Sequence, residues 1–521
     1  MADTIVLYPS PGRGHLVSMV EFGQLILKHH APSSSFSIAI IIPTAPFESS
    51  SSSTGAEDYI ASVSASSSMI SFHHLPTINP LPPTFSSSSS PAEIPALTYE
   101  LAELNNPNLH KTLMKLSESS KLKAFVIDFF CNASFKVSST FNIPTYYYFT
   151  SGASGLAAFL YFKTIHENTT KSLKDFDNKL LDFPGIPSIP AKDMPVAMLD
   201  RESKVYRCFV DTATQMIKSA GLILNTFELL EEWAVKAILD GQCTPGESAP
   251  PIYCVGPVTD GNDGGGGGGK FEHECLSWLD SQPSRSVVFL SFGSMGVFYT
   301  KQLKEIANGL ESSRVRFLWV VRTPPPDDET RKTLPSTDLS IEQFLPEGFL
   351  DRTKDRGVVV KSWAPQIAVL SHDSVGGFVT HCGWNSVLEG LCAGVPMLAW
   401  PLYAEQKMNR AFLVDEMKVA LPVVESDNGL VTAAELEKRM TELMDLEKGR
   451  AVRDRVTALR EEAAAATSHG LRLDYRKIIT AFEREEDQCL VALWICTQRT
   501  LPRSLQGGDV IREETFLGEG D

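Results

Sequence analysis

The sequence lacks several features that would place it in a familiar class. It carries 47 lysines and arginines against 63 aspartates and glutamates, a formal charge of −16. No basic excess is therefore available for a nucleic-acid backbone or an anionic membrane. Its nine cysteines are odd in number and contain no C-x-x-C pair, which argues against a zinc ribbon or a complete disulfide framework. We therefore expect reduced thiols and a cytoplasmic protein.

Long apolar runs are also missing. The N-terminal stretch MADTIVLYPSPGRGH has no basic segment followed by a long apolar one, and no run reaches the length of a membrane span. A chain of 521 residues exceeds one ordinary hydrophobic core, which predicts two large domains or three smaller ones. We expect a soluble monomer that binds small molecules.

Apolar β-rich runs alternate with helical patterns along the chain. The predicted strands include TIVLYP, SFSIAIIIP, KAFVIDFF, GLILNTF, SVVFLSFG, RFLWVVR, GVVVKSW, GGFVTH and VPMLAWP. Continuous runs of this kind are typical of parallel strands that helices cover on both faces, so the predicted class is α/β. Six glycines at 264–269 predict a flexible linker. Serine-rich tracts at 49–53 and 86–90 predict loops.

One predicted strand–helix junction concentrates polar residues. The stretch at 380–390, THCGWNSVLEG, lies at the sheet edge where open α/β sheets bind ligands. Asn385 or Ser386 is the predicted N-cap, and Ser386 with Glu389 has the spacing of a capping box. The same helix start is also suited to a phosphate, because Gly383 permits close approach of the backbone. Both interpretations stay open at this point.

Other predicted loops point to the same edge. His381 could donate a hydrogen bond to the same anion, although a lone histidine there is more often structural, and the lack of a second ligand at helical spacing argues against a metal. Trp363 follows another strand and either packs between domains or stacks on a planar base. Ser294 follows a third strand, while Glu405 and Gln406 offer a carboxylate and an amide to sugar hydroxyls. Together these groups indicate a nucleotide-sugar site.

The N-terminal junction SPGRGHLVSM does not match a dinucleotide fingerprint. It has a G-x-G start but Val17 in place of the third glycine, and SIAIIIPT ends without an acid for a ribose. An NAD-dependent oxidoreductase is thus disfavoured. His15 lies at this junction and Asp128 ends KAFVIDFF. From the residues alone, each could begin or cap a helix as well as serve catalysis.

The stretch from Trp363 to Gln406, WAPQIAVLSHDSVGGFVTHCGWNSVLEGLCAGVPMLAWPLYAEQ, closely resembles the secondary-product box of plant UDP-sugar-dependent glycosyltransferases. A looser likeness extends to about Glu485, through SPGRGH, FVIDFF, NTFELLE, GPV, CLSWLDSQP and VVFLSFGS, and favours the branch that acts on flavonoids and related phenols. The resemblance implies a GT-B architecture, in which two doubly wound Rossmann-like domains face each other across a cleft.

The predicted divisions follow from this likeness and the glycine run. They are an acceptor domain at 1–250, a linker at 251–275, a UDP-sugar domain at 276–470, a helix at 471–485 that returns to the acceptor domain, and a disordered tail at 486–521. The tail departs from the family pattern, because such chains usually stop soon after the returning helix. The acceptor itself is not assigned, because variable loops such as FPGIPSIPAKDMP build its pocket.

The resemblance also implies a role for each matching residue. Trp363 would stack on uracil, the main chain of Ala364 would pair with its edge, and Gln366 and Glu389 would bind the ribose. The implied diphosphate contacts are Ser294, His381, Asn385 and Ser386, beside Gly383. The implied sugar contacts are Trp384, Glu405, Gln406 and, at one sugar hydroxyl, Thr150. Glu405 stands where the family more often has aspartate, and Trp384 with Gln406 is typical of glucose users.

His15 is implied to be the general base and Asp128 the carboxylate that orients it. The expected activity is inverting transfer of glucose from UDP-glucose to a phenolic hydroxyl of a flavonoid, chalcone or related molecule. No metal is expected, because His381 and the helix start would meet the diphosphate charge. The alternatives are UDP-galactose or UDP-glucuronate as donor, a non-flavonoid acceptor, an NAD-dependent oxidoreductase and an inactive carrier.

Overall fold

The structure is a computed structural model that describes residues 2–29, 36–44, 50–82, 84–85, 93–176, 178–259, 271–325, 340–465 and 471–483. The predicted linker glycines at 264–269, the serine tract at 86–90 and the tail at 486–521 lie outside these ranges. Ser50–Ser53 are described and begin a helix, so the loop predicted for that serine tract is wrong there.

Strands and helices alternate in the first half of the chain. The strands are β1 Ala2–Tyr8, β2 Phe36–Ile42, β3 Ile70–His74, β4 Ser120–Asp128, β5 Thr145–Phe149, β6 Leu180–Phe183, β7 Ile186–Pro190, β8 Gly221–Leu224 and β9 Ile252–Cys254. The helices are α1 Arg13–His29, α2 Ser50–Ser66, α3 Ile94–Ser119, α4 Phe135–Thr140, α5 Ala153–Asn168, α6 Val196–Leu199, α7 Lys204–Met216 and α8 Glu232–Leu239.

The second half repeats the alternation. Its strands are β10 Val287–Ser291, β11 Arg316–Val321, β12 Gly357–Lys361, β13 Val375–Thr380, β14 Met397–Ala399 and β15 Ala420–Pro422. Its helices are α9 Phe271–Asp280, α10 Thr300–Ser313, α11 Phe349–Thr353, α12 Gln366–Leu370, α13 Trp384–Ala393, α14 Gln406–Ala411, α15 Ala433–Met444, α16 Arg450–Ala465 and α17 Leu471–Glu483.

Two parallel sheets organise these elements. The first has seven strands in the order β3-β2-β1-β4-β5-β8-β9, and the second has six in the order β12-β11-β10-β13-β14-β15. Strands β6 and β7 form a separate antiparallel hairpin. Strand order reverses beside β1 and beside β10, so the loops after β1, β4, β10 and β13 meet at the two switch points where open sheets bind ligands.

The central strands are buried on both faces, as their apolar runs predicted. In β1, Ile5 and Leu7 pack into the core that contains residues of α1, whereas Val6 and Tyr8 pack into the core on the other side. All four side chains are fully buried. Such burial is typical of a parallel sheet between two helical layers and confirms the predicted α/β class.

The last described helix packs on the first sheet. The Tyr475 hydroxyl of α17 donates to the Val255 carbonyl at 3.1 Å, and the Phe482 ring meets Tyr146 edge to face with centroids 4.9 Å apart. The Lys123 ammonium donates to the Glu483 carbonyl at 3.3 Å. The chain therefore crosses from the second half back to the first.

Candidate active site at the cleft

The junction between β1 and α1 holds a histidine against a buried carboxylate. Gly12 turns the chain there with a φ of 110°. His15 Nδ1 lies 2.7 Å from Asp128 Oδ2, and the Phe130 N–H donates to Asp128 Oδ1 at 3.0 Å. Asp128 is fully buried, while the His15 side chain is 27% exposed. With Asp128 ionised, the neutral imidazole carries its proton on Nδ1, so Nε2 can accept one.

An aromatic cluster lies beside this pair. The Phe130 ring meets His15 edge to face, with centroids 5.8 Å apart. Phe129, Tyr99 and Phe209 contact Phe130 within 6.5 Å between centroids. Phe129 and Phe130 are half-buried, so they offer an apolar wall to a ligand near His15. The sequence alone did not single out these rings, because their convergence depends on three separate elements.

The junction between β13 and α13 begins a helix earlier than predicted. Gly383 is the N-cap and Trp384 is the first helical residue. The prediction that Asn385 or Ser386 caps this helix is wrong, and so is the capping box, because both residues lie inside the first turn. The Val387 N–H is bonded to the Gly383 carbonyl at 3.0 Å, whereas the preceding N–H groups have no helical acceptor and can meet an anion.

His381 is enclosed behind that helix start. Its side chain is buried, and burial lowers the pKa of His381 to about 4. His381 Nδ1 and Asn385 Oδ1 are buried atoms without a hydrogen-bond partner among the described residues. A side-chain carbon on Gly293 or Gly383 would collide with His381 Nε2. The two glycines therefore make room for a neutral imidazole that can donate to an anion.

The residues expected to bind uracil and ribose lie at the start of α12 and in α13. Trp363 is 44% exposed in the turn that precedes α12. The Gln366 amide donates to Ser386 Oγ at 2.8 Å and to Glu389 Oε2 at 2.6 Å. The structure thus brings the amide of Gln366 and the carboxylate of Glu389 together. Ala364 is buried behind Trp363.

The expected sugar residues begin α14. The Leu402 and Tyr403 N–H groups donate to Gln406 Oε1 at 2.8 and 2.9 Å. These bonds occupy the Gln406 carbonyl oxygen, so the NH₂ group is the part of the amide that can donate. Burial raises the pKa of the Glu405 carboxyl, and the charge of His15 opposes part of this shift.

The two junctions face each other. A side-chain carbon on Gly14, next to His15, would lie 3.7 Å from Asn385 Nδ2. The start of α1 thus approaches the start of α13, which brings the histidine–carboxylate pair toward the unbonded N–H groups. Thr150 follows β5 and is half-buried, and Ser294 is exposed after β10.

The Trp384 side chain lies at the contact with the first half. The indole is 3% exposed, and its N–H donates to the Asn225 carbonyl at 2.7 Å. The ring is therefore part of the contact with the first half. The expected sugar contact of Trp384 stays a prediction, and its main-chain N–H stands at the first position of α13.

The described ranges hold neither a cluster of metal-binding side chains nor a helix suited to a membrane span. No three His, Cys, Asp or Glu side chains gather there as a metal ion would require. No helix within those ranges has the length and apolar character needed to cross a membrane.

The chain resembles plant glycosyltransferases along most of its length. Residues 269–453 match the family described as UDP-glucoronosyl and UDP-glucosyl transferase. An anthocyanidin 5,3-O-glucosyltransferase of a Rosa hybrid cultivar is 51% identical over 475 residues, which are 90% of this chain and 96% of the relative. A phloretin 2'-O-glucosyltransferase of Malus domestica is 46% identical over 474 residues, 89% of this chain and 96% of the relative.

Solved structures agree with the same assignment. UGT71G1 of Medicago truncatula, complexed with UDP-glucose, is 32% identical with a TM-score of 0.79 and covers 92% of this chain and 98% of its own. UGT2 of Phytolacca americana, complexed with UDP-2fluoro-glucose and pterostilbene, is 34% identical with a TM-score of 0.78. The match covers 93% of this chain and 100% of the Phytolacca chain. These likenesses confirm the GT-B architecture.

Proposed function

Because the chain belongs to the UDP-glucoronosyl and UDP-glucosyl transferase family, we propose that this glycosyltransferase moves glucose from UDP-glucose to a phenolic hydroxyl of a flavonoid, chalcone or related molecule. The observation that carries the proposal is the His15–Asp128 pair, 2.7 Å apart, opposite the helix start at Asn385. Relatives named for anthocyanidin and phloretin support the acceptor class.

The acceptor is activated in the first half. His15 Nε2 takes the proton of the phenolic hydroxyl, and the Asp128 carboxylate stabilises the imidazolium that forms. The phenolic oxygen then forms a bond to the anomeric carbon as the bond from that carbon to the β-phosphate oxygen breaks. Attack from the face opposite UDP converts an α-linked donor into a β-glucoside. The half-buried rings of Phe129 and Phe130 are the proposed wall for the aromatic acceptor.

The leaving diphosphate is stabilised in the second half. The main-chain N–H groups at the start of α13, together with Ser294 and the Asn385 and Ser386 side chains, are proposed to bind its oxygens. His381 donates from a neutral ring, which agrees with its pKa of about 4. Donors held in place before the reaction need no reorganisation as negative charge develops. On this proposal a metal ion is not required.

The remaining site residues are proposed to bind uridine and glucose. Trp363 stacks on uracil, the Ala364 main chain pairs with its edge, and the linked pair Gln366 and Glu389 binds the ribose. The proposed glucose contacts are Glu405, the NH₂ group of Gln406, the main-chain N–H of Trp384, and Thr150. The domain divisions, the monomeric state and the cytoplasmic location predicted from the sequence are further parts of the proposal.

A substrate panel tests the function. Purified protein is assayed with UDP-glucose, UDP-galactose and UDP-glucuronate against simple phenols, chalcones and flavonols, and products are identified by mass and NMR. We expect hexosides from UDP-glucose with at least one flavonoid or chalcone. Preference for another sugar would correct the donor. Tight NAD binding without a response to UDP, or UDP binding without any turnover, would support the oxidoreductase or the carrier instead.

A further inference from the structure

A buried carboxylate, Glu231, lies where the first half meets the start of α13. Its side chain is fully buried. It accepts hydrogen bonds from the Ala153 N–H at 2.7 Å and the Ser154 N–H at 2.8 Å. The Thr226 hydroxyl donates a third at 2.5 Å. In the sequence this residue stands in the run ELLEE, where nothing distinguishes it from the exposed Glu232 beside it.

These bonds fix the first turn of α5. The N-cap of α5 is Gly152, which has no side chain to bond the first N–H groups, so the carboxylate of Glu231 supplies the acceptors. A negative charge at a helix N-terminus is also favoured by the helix dipole. Burial raises the pKa of Glu231, although Thr226 and the two N–H groups oppose the shift.

Gly152 also contacts the donor half. A side-chain carbon there would lie 2.6 Å from both carboxylate oxygens of Glu231 and from Cζ2 of Trp384. The Trp384 indole donates to the Asn225 carbonyl at 2.7 Å, and the Asn225 side chain is bonded twice to the Val258 main chain. We name this contact the Glu231 joint, and it consists of Gly152, Asn225, Glu231 and Trp384.

We propose that Glu231 is a positioning residue that sets where the start of α13 lies relative to the acceptor half. Trp384 is the first residue of α13 and directly precedes Asn385, a proposed diphosphate contact. On the other side of the joint, Gly152 lies two residues after Thr150, a proposed sugar contact. A displacement of about 1 Å between reacting groups costs about 100-fold in rate. This kinetic consequence rests on the proposed function.

The kinetic test is Glu231→Gln, with Glu232→Gln as the matched control at the exposed neighbour. Glutamine keeps the volume but places an NH₂ group against a main-chain N–H that now donates to a carboxylate. We expect kcat to fall about 10- to 100-fold. The Kd for UDP should stay within about 2-fold, because UDP and α13 move together. The control should leave kcat, KM and the melting temperature unchanged.

A second readout does not depend on turnover. Isotope-labelled tryptophan gives one indole N–H signal for each of the seven tryptophans, and Trp384→Phe assigns one of them to the joint. Glu231→Gln should move this signal, and Glu232→Gln should not. If the wild-type protein glycosylates no phenol while the signal still moves, the proposed function fails and the joint stands.

The proposal is overturned by an unmoved Trp384 signal together with an unchanged kcat per folded enzyme, even if the melting temperature falls. That result would make Glu231 a helix cap without influence on α13. If Glu231→Gln does not fold, Thr226→Val removes one of the hydrogen bonds to the carboxylate and is measured in the same way. A smaller displacement of the same indole signal is expected, and an unmoved signal overturns the proposal.

Discussion

Each half of the molecule has one strand–helix junction with a histidine at the cleft, and the two histidines differ in their neighbouring charges. After β1, His15 Nδ1 lies 2.7 Å from the buried carboxylate of Asp128. After β13, His381 Nδ1 has no hydrogen-bond partner among the described residues, and burial lowers the pKa of that ring to about 4. A histidine beside a carboxylate can hold a proton, whereas a buried one without a counter-charge stays neutral. The surroundings therefore suit His15 to its proposed role as the base and His381 to its proposed role as a neutral hydrogen-bond donor to the diphosphate.

Removing the base should give the largest effect. His15→Ala is expected to lower kcat roughly 10²- to 10⁴-fold, which is the usual contribution of a general base. The fold, checked by circular dichroism, and the Kd for UDP, measured by calorimetry, should not change. A variant with near-normal turnover of an ordinary phenol would remove His15 from this role.

Asp128→Asn tests the partner that distinguishes the first junction. The amide has no charge to stabilise an imidazolium, so we expect kcat to fall by up to about 10⁴-fold. The double variant with His15→Ala should lose no more than His15→Ala alone, because the carboxylate acts through the histidine. Losses that multiply in the double variant would show that Asp128 acts independently.

His381→Ala tests the second junction. Loss of a hydrogen bond to a charged oxygen should raise the Kd for UDP about 10-fold, in contrast to His15→Ala, which should leave it unchanged. Calorimetric titration of both variants with UDP gives the comparison directly. Equal UDP affinity in wild type and His381→Ala would contradict a donor role for this ring.

The neutral state of His381 predicts a pH-dependent stability. Its pKa falls from 6.5 to about 4 on folding, so as the pH decreases through this window the unfolded chain binds a proton that the folded chain does not. When the pH is lowered from about 7 to about 5.5, the free energy of unfolding should therefore fall in both proteins. We expect the fall to be about 1 kcal/mol larger in wild type than in His381→Gln. Parallel curves from denaturant unfolding would show that folding does not lower the pKa of this ring.

The smallest effect is expected at the chain end. Both junctions and α17 precede Glu485, so a chain that ends there should keep its kcat and its UDP affinity. Steady-state kinetics of the truncated protein give the check. A folded but inactive truncation would place part of the site beyond that residue.

The sequence predicted the edges of both sheets well because local patterns determine them. Continuous apolar runs specify buried parallel strands, and polar groups at their ends must converge at the switch points. His15 and Asp128 therefore meet as the likeness implied, across 113 positions of chain. The cap of α13 was misplaced because the chain turns at Cys382, with a φ of 65°, and Gly383 then becomes the N-cap ahead of Asn385 and Ser386.

Contacts between the halves could not be predicted. The bond from Trp384 to Asn225 joins residues 159 positions apart, and no local pattern reports such a contact. Glu231 was missed because a glutamate in a charged run usually faces solvent. Its burial becomes understandable only when the start of α5 supplies N–H donors to the carboxylate.

The most direct test of the account compares wild type and His15→Ala across a series of phenols of increasing acidity, with UDP-glucose as the donor. If His15 removes the acceptor proton, the deficit of the variant should shrink as the phenol becomes more acidic, and should nearly vanish for phenols already ionised at the assay pH. A deficit of constant size across the series would show that His15 contributes through binding or structure and not as the base.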